Sequence, residues 1–206
     1  MIEMNERKTK SSEIFRGIAE LYKPPTLELW EELTQGKLLL KFEEAAAGLY
    51  GIEGESLSKL LPDHFDQLSS LFEYVLADTA KQAVLPVESL YKQWTHDETC
   101  NLPFATSKGY LQGDSALHIR FILDKFQIDI PLEYRGMPDH LSILLELLAF
   151  FIEHSDESFT AVFMSDHFDW LEDFEAKLAE VSGHPFYTGV TRFLIDVLES
   201  QRSSYM

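Results

Sequence analysis

The residues of this sequence best suited to chemistry are three Asp-His pairs. They are Asp63-His64, Asp139-His140 and Asp166-His167. A carboxylate beside an imidazole is able to bind a metal ion or to pass a proton. Adjacent residues of a helix point in different directions, however, so none of these pairs forms a ready-made chelate. Aspartates at helix starts with neighbouring histidines explain the pattern more simply, and we predict no metal site.

Motifs that carry catalysis are missing from the sequence. It has no glycine-rich phosphate-binding loop, no H-E-x-x-H and no G-x-S-x-G. Its single cysteine, Cys100, lies between Thr99 and Asn101 without a nucleophile signature, and one thiol closes no disulfide within the chain. We therefore predict no catalytic residue, no cofactor and a protein that is not an enzyme.

The elements that would position these side chains are helices. Apolar residues recur at helical spacing over residues 68–76, 141–152 and 186–198. The best candidate for a strand, residues 126–132, is short and contains Pro131, so we interpret it as a loop or a helix end. The sequence predicts an all-α fold, a single-domain bundle of about eight or nine helices that covers residues 1–206.

Proline, glycine and small polar residues mark the helix ends. Pro24-Pro25 should end the first helix, and Thr26 should cap the second. Gly183 and Pro185 should separate the last two helices. Asp63 and Asp139, each after a proline, should lie where the positive end of a helix dipole stabilises a carboxylate.

One segment, residues 81–113, lacks this periodicity and is long for a plain connection. Loops of this length are usually functional or disordered, and its four aromatic residues argue against disorder. We predict that it is a functional loop or a hinge. A hinge of this kind allows segment exchange, so the chain is expected to be a monomer or a domain-swapped dimer.

Composition limits the partners of the protein. The formal net charge is -18, which disfavours nucleic acid and anionic membrane surfaces and attracts a basic partner. The most apolar stretch, residues 141–152, is shorter than the ~20 residues of a membrane span. The first residues are charged and are not followed by an apolar segment, so we expect no secretory signal and a cytoplasmic location.

Three segments, taken in order, resemble the TorD/DmsD family of redox-enzyme maturation chaperones. The first is Leu71-Phe72 followed by 85–91 (LPVESLY). The second is 138–141 (PDHL) with 145–150 (LELLAF), and the third is 163–174 with His167 and Trp170. The resemblance covers residues 10–200. It implies a helical bundle that binds the twin-arginine signal peptide of a molybdenum-cofactor oxidoreductase and delays export until the cofactor is loaded.

The positions that match the family motifs are the candidate client-binding residues: Pro86, Glu88, Ser89, Tyr91, Asp139 and His140. Physical chemistry agrees with this choice, because guanidinium groups are bound best by carboxylates, which Glu88 and Asp139 supply. The apolar part of a signal peptide needs an apolar groove, which Tyr91, Trp94 and Phe104 could line. Alanine at Glu88 or Asp139 should then weaken peptide binding, as should added salt.

Two other functions fit the sequence. A nitrate-reductase-type chaperone would assist cofactor insertion by acting on the body of the enzyme instead of its signal peptide. A nucleotide- or metal-dependent helical enzyme would use the Asp-His pairs, although no phosphate-binding loop is present. Retention of binding after removal of the client's twin-arginine segment would distinguish the first of these.

Overall fold

The computed structural model of the protein describes residues 2–52, 56–78 and 83–205. Lys81, where the predicted loop begins, lies outside them. In these three ranges the chain is all-helical, with one isolated bridge between Val87 and His140 as the sole β pairing. The described residues form nine α-helices: α1 (Ile2–Leu21), α2 (Leu27–Thr34), α3 (Leu38–Tyr50), α4 (Phe65–Val75), α5 (Asp114–Phe126), α6 (Leu141–His154), α7 (Glu157–His167), α8 (Leu171–Val181) and α9 (Phe186–Ser203). The all-α prediction is confirmed.

The helix ends follow from local sequence. The Thr26 hydroxyl accepts a hydrogen bond from the Leu29 amide at 3.1 Å and caps α2. Gly51 takes the left-handed conformation that ends α3, where a side chain would be strained. Residues 126–132 form no strand, as predicted, because α5 ends at Phe126 and a 3-10 turn follows at Leu132–Tyr134.

Two Asp-His pairs lie differently from the expectation. The residues that cap α4 and α6 are His64 and His140, so Asp63 and Asp139 stand one residue outside the helices. His140 caps α6 through its own ring, whose Nδ1 accepts from the Ser142 amide at 3.2 Å. Asp139 is thus free of a capping role, and its carboxylate bonds to another segment.

Helix α6 forms the centre of the core. Ten of its fourteen residues are buried, which is why its sequence is apolar on nearly every side. The most extensive helix pairing in the described ranges joins α6 to α1, and α7 packs on α6 from another side. Helices α8 and α9 pack on each other.

The described part of the long loop, residues 83–113, is folded on itself. The Trp94 amide donates to the Ser107 carbonyl at 3.0 Å and the Thr95 amide to the Ala105 carbonyl at 2.9 Å. The ring of Phe104 lies between those of Trp94 and Tyr110, with centroid distances of 5.1 and 4.7 Å. A role as hinge, and the oligomeric state, stay predictions.

Candidate functional site

The loop and the start of α6 are joined by three hydrogen bonds, at a place we call the junction (residues 86–89 and 139–141). The Leu141 amide donates to the Pro86 carbonyl at 2.8 Å, and the Glu88 amide donates to the Asp139 carbonyl at 3.1 Å. The Ser89 amide donates to Asp139 Oδ2 at 2.7 Å. The junction thus brings together five of the seven predicted site residues, which are Pro86, Glu88, Ser89, Asp139 and His140.

The junction is closed to solvent. Glu88 and Asp139 are 0% exposed and His140 is 7% exposed. A guanidinium group arriving from solvent therefore has no access to either carboxylate in this conformation. Direct contact with a client at these residues stays a prediction, and it requires the junction to open.

The Glu88 carboxylate contacts two side chains, His167 and Lys92. Its Oε2 accepts from His167 Nδ1 at 2.8 Å, and Lys92 Nζ lies 2.9 Å from Oε1. Lys92 also forms an ion pair with Asp169 at 2.6 Å. The hydrogen bond from His167 and the ion pair with Lys92 offset the cost of burying this carboxylate, although within the described residues its Oε1 accepts no hydrogen bond.

The sequence-based reasoning did not assign these partners to Glu88. Lys92 follows Glu88 by four residues, a spacing that favours an ion pair on a helix and was a usable signal. His167 is one of the three Asp-His histidines, but 79 residues separate it from Glu88. No sequence pattern relates His118, which contacts His167 from α5, to the loop.

Two groups of the junction have shifted pKa values. Burial raises the pKa of Asp139, and hydrogen bonds from Ser89 oppose that rise. Burial, with a contribution from Lys23, lowers the pKa of His140 to about 3. His140 is therefore neutral at physiological pH, as its capping role as a hydrogen-bond acceptor requires.

The remaining two predicted residues lie in different surroundings. Tyr91 is buried and stacks on Trp170 with a centroid distance of 5.0 Å, and its hydroxyl donates to the Leu85 carbonyl at 3.1 Å. Trp94 belongs to the loop's own aromatic cluster, and its indole N–H donates to the Leu111 carbonyl at 3.2 Å. Tyr91 is thus part of the core, whereas Trp94 and Phe104 pack within the loop.

An open groove lies beside the junction, with a volume of about 580 Å³. Its walls come from α1 and the residue pair after it, from the end of α5 with the segment that follows, and from α6. The lining side chains are mainly apolar and include Leu123, Ile128, Ile130, Pro131, Tyr134, Ile143, Leu147 and Phe150. The ring of Tyr134 lies 4.8 Å from that of His140, so one wall of the groove rests on the junction.

The charged side chains of the groove differ in their pairing. Arg16 is bound to Glu153, and Lys23 to Glu146 and Glu20. Asp129 and Glu133 are exposed at the rim, and within the described residues neither has an ion-pair partner. The groove thus combines apolar walls with two uncompensated carboxylates. The sequence analysis missed it, although it interpreted residues 126–132 as a loop.

The described ranges contain neither a metal-binding cluster nor a helix able to cross a membrane. No group of three or more histidine, cysteine or acidic side chains is arranged there to hold a metal ion. Among the helices that the structure describes, none combines the length and the apolar character needed to cross a membrane.

A family model described as nitrate reductase delta subunit matches residues 42–184. The chain belongs to this family, the redox-enzyme maturation chaperones of the NarJ/TorD type, as the resemblance indicated. Comparison with curated proteins and with solved structures gives no match. Membership makes the protein a chaperone of molybdoenzyme maturation with a molybdoenzyme as its partner, in a family that is generally non-enzymatic.

Proposed function

We propose that this protein is a cytoplasmic chaperone that binds the twin-arginine signal peptide of an apo-molybdoenzyme and delays export until the cofactor is inserted. The observation that carries the proposal is the open groove. Its volume of about 580 Å³ falls within the range of roughly 300–1,000 Å³ typical of ligand pockets. The part of its lining from Leu123 to Phe150 lies in the family-matched region, and the groove borders the junction, where the motif residues converge.

The chemistry of the groove fits such a peptide. A twin-arginine signal peptide has two guanidinium groups followed by an apolar run. The apolar run would pack on the walls around Ile130 and Leu147, as amphipathic helices do in apolar grooves. Asp129 and Glu133 would pair with the guanidinium groups at the rim. The net charge of -18 adds a long-range attraction for a basic segment.

In this proposal the junction residues position the groove. The hydrogen bonds of Asp139 to Glu88 and Ser89 fix the start of α6, and His140 supports Tyr134 in the groove wall. Pro86 fixes the same helix start through Leu141. Their direct contact with the client is the alternative role, and it requires the closed carboxylates to become accessible.

Isothermal titration with synthetic peptides tests the proposal. The peptide is the N-terminal segment of a molybdoenzyme encoded beside this gene, and the matched controls replace its two arginines by lysines or its apolar run by serines. We expect binding of the natural peptide, weaker binding of the lysine form and no binding of the serine form. Lysine loses the planar, bidentate geometry of arginine, and serine removes the apolar contact.

The proposal fails if the natural peptide does not bind and no molybdoenzyme co-purifies with the chaperone. Equal binding of all three peptides would also contradict it, because the groove would then recognise neither the guanidinium groups nor the apolar run.

A second candidate function is action on the body of the enzyme, as in a nitrate-reductase-type chaperone. A row of exposed apolar side chains on the loop and α5 favours it. Tyr110, Leu111, Leu117 and Phe121 are 45, 41, 52 and 63% exposed. Concentrations of exposed apolar side chains often mark protein interfaces. Co-purification of a client that lacks its twin-arginine segment, reduced by Phe121→Ser, would support this function, whereas complete loss of that client would exclude it.

A further inference from the structure

Two histidine side chains connect the protein surface to the buried carboxylate of Glu88. His118 lies exposed on α5, and its Nδ1 is 2.9 Å from Nε2 of His167. His167 is 2% exposed, and its Nδ1 is 2.8 Å from Oε2 of Glu88. The two imidazole rings are also stacked, with centroids 4.9 Å apart. We call His118 and His167 the histidine pair.

The Glu88 carboxylate determines which ring nitrogens of the histidine pair carry protons. An ionised carboxylate only accepts hydrogen bonds, so His167 Nδ1 must carry a proton and donate to Glu88. A neutral His167 then has a lone pair on Nε2, and His118 Nδ1 must donate to it. His118 Nε2 is the one ring nitrogen of the pair that takes part in neither the contact between the rings nor the contact with Glu88.

This arrangement limits how many protons the closed pair can hold. One added proton can bind to His118 Nε2 without breaking any hydrogen bond. A second would have to bind to His167 Nε2, which would place N–H groups face to face and destroy the contact. Separated imidazoles have no such limit, and each binds its own proton. The open arrangement therefore binds at least one proton more than the closed one in acid.

We propose that the histidine pair is a proton-operated closure over Glu88: when both imidazoles are protonated, α5 separates locally from α7 and Glu88 becomes accessible to solvent. The fold places α5 where such a closure must be, because α5 packs directly on the 3-10 turn Glu88–Leu90. The closure goes beyond the proposed function, because it would operate without any client.

Charged groups on every neighbouring element act on the pair. Asp166 lies on α7, Glu88 and Lys92 on the loop turn, and Asp169 between α7 and α8. Asp139 lies behind Glu88 and is affected by its charge. Burial and then the charge of His167 lower the pKa of His118, while Asp166 and Glu88 act in the opposite direction.

The direction of the pH effect follows from the lowered pKa. The folded pKa of His118 lies below its ordinary value of 6.5, so the open form binds more protons. The closed contact is therefore fully favoured above pH 6.5 and weakens as the pH falls below it. With at least one proton taken up on opening, the opening equilibrium constant should rise about tenfold or more per pH unit.

Native-state hydrogen exchange of the full-length protein at pH 7.5, 6.5 and 5.5 tests the closure. The probes are the amides of Glu88 and Ser89, which donate to Asp139, and their rates are corrected for the intrinsic pH dependence of exchange. We expect the opening constant of the wild type to rise about tenfold or more between pH 6.5 and 5.5.

The His118→Asn variant should show a nearly flat profile, because its amide can either donate to or accept from His167 and does not titrate. His96→Asn, at an exposed histidine of the loop 83–113, is the matched control and should keep the wild-type profile. A flat wild-type profile would overturn the proposal, as would a His118→Asn variant that retains the rise. An NMR pH titration of the His118 ring supplies a second measurement: its pKa is expected to lie below the ordinary value of 6.5, and a pKa at 6.5 contradicts the closure.

Discussion

The junction and the groove share α6 but are built in opposite ways. In the junction polar groups are buried, and the backbone amides of Glu88 and Ser89 are matched to Asp139, whereas Ser89 Oγ and Asp139 Oδ1 have no hydrogen-bond partner among the described residues. In the groove apolar groups are left open, and the rim carboxylates of Asp129 and Glu133 have no ion-pair partner in the described ranges. The family motifs do not distinguish residues that stabilise the fold from residues that bind a partner, whereas the comparison of these two places does. Buried matched groups hold a shape, whereas open unmatched groups are suited to bind something else.

The largest effect should come from breaking the junction. Replacing Glu88 by Ala leaves Lys92 and the His167 N–H without their buried carboxylate. Removing one partner of a buried pair typically lowers the free energy of unfolding by about 3–5 kcal/mol. Urea denaturation monitored by circular dichroism measures the change.

The control for this variant is Glu98→Ala, at an exposed position of the same loop, which should stay within about 0.5 kcal/mol of the wild type. If Glu88→Ala were equally mild, Glu88 would not have the structural role that the comparison gives it.

The next-largest effect should come from a variant of the groove, which should lower peptide affinity while leaving stability nearly unchanged. Ile130→Ser removes an apolar wall side chain that is already partly exposed, so stability should change little. Peptide affinity should fall about tenfold, which corresponds to about 1.4 kcal/mol. Val162→Ser, at an exposed apolar residue of α7, serves as the control in the same titration. Equal affinity of the two variants would place the client elsewhere.

The contact behind the groove should respond to pH. Arg16 forms two hydrogen bonds with Glu153, both 2.7 Å long, and these bonds lower the pKa of Glu153 to about 2. Because this pKa is lower than the ordinary value of 4.5, the contact stabilises the protein above pH 4.5 and is lost as the pH falls from 4.5 to about 2. Glu153→Gln should therefore lower stability by about 1 kcal/mol at pH 7, a value discounted for the exposure of Arg16.

Thermal unfolding of this variant and of the wild type at a series of pH values checks the expectation. The difference between them should vanish near pH 2, and Glu13→Gln, at an exposed residue of α1, should show little difference at any pH. A difference that does not depend on pH would show that α1 is held on α6 by packing alone.

The smallest effect should come from the rim. Asp129→Asn combined with Glu133→Gln should weaken peptide binding by a few fold, since exposed ion pairs contribute about 0.2–1 kcal/mol each. The double variant should also bind with less dependence on salt. Asp124→Asn, at an exposed position of α5, is the matched control. An unchanged salt dependence would mean that the net charge of the whole protein, not the rim, attracts the client.

The same contrast explains what the sequence could predict. Helices with regular apolar spacing, such as α6 and α9, can be predicted from local sequence alone, and the structure has them at the predicted places. The cap of Thr26 is equally local. The motif resemblance selected Glu88 and Asp139 together, but the buried hydrogen-bond partner of the Glu88 carboxylate is His167, which lies 79 residues away along the chain. The groove forms where α1, the 128–134 segment and α6 meet, and no local pattern specifies such a meeting.

The pairing of α1 with α6 also has a consequence for synthesis of the chain. The apolar side chains of α1, such as Phe15 and Ile18, are buried in the folded protein, where α6 is the most extensive helix neighbour of α1 in the described ranges. Because α6 follows α1 at a large distance along the sequence, this contact can form only after α6 has been synthesised. While α6 is still inside the ribosome, the emerged part of the chain lacks one wall of the groove and exposes the apolar face of α1. The nascent chaperone therefore exposes apolar surface that favours aggregation until α6 has emerged from the ribosome.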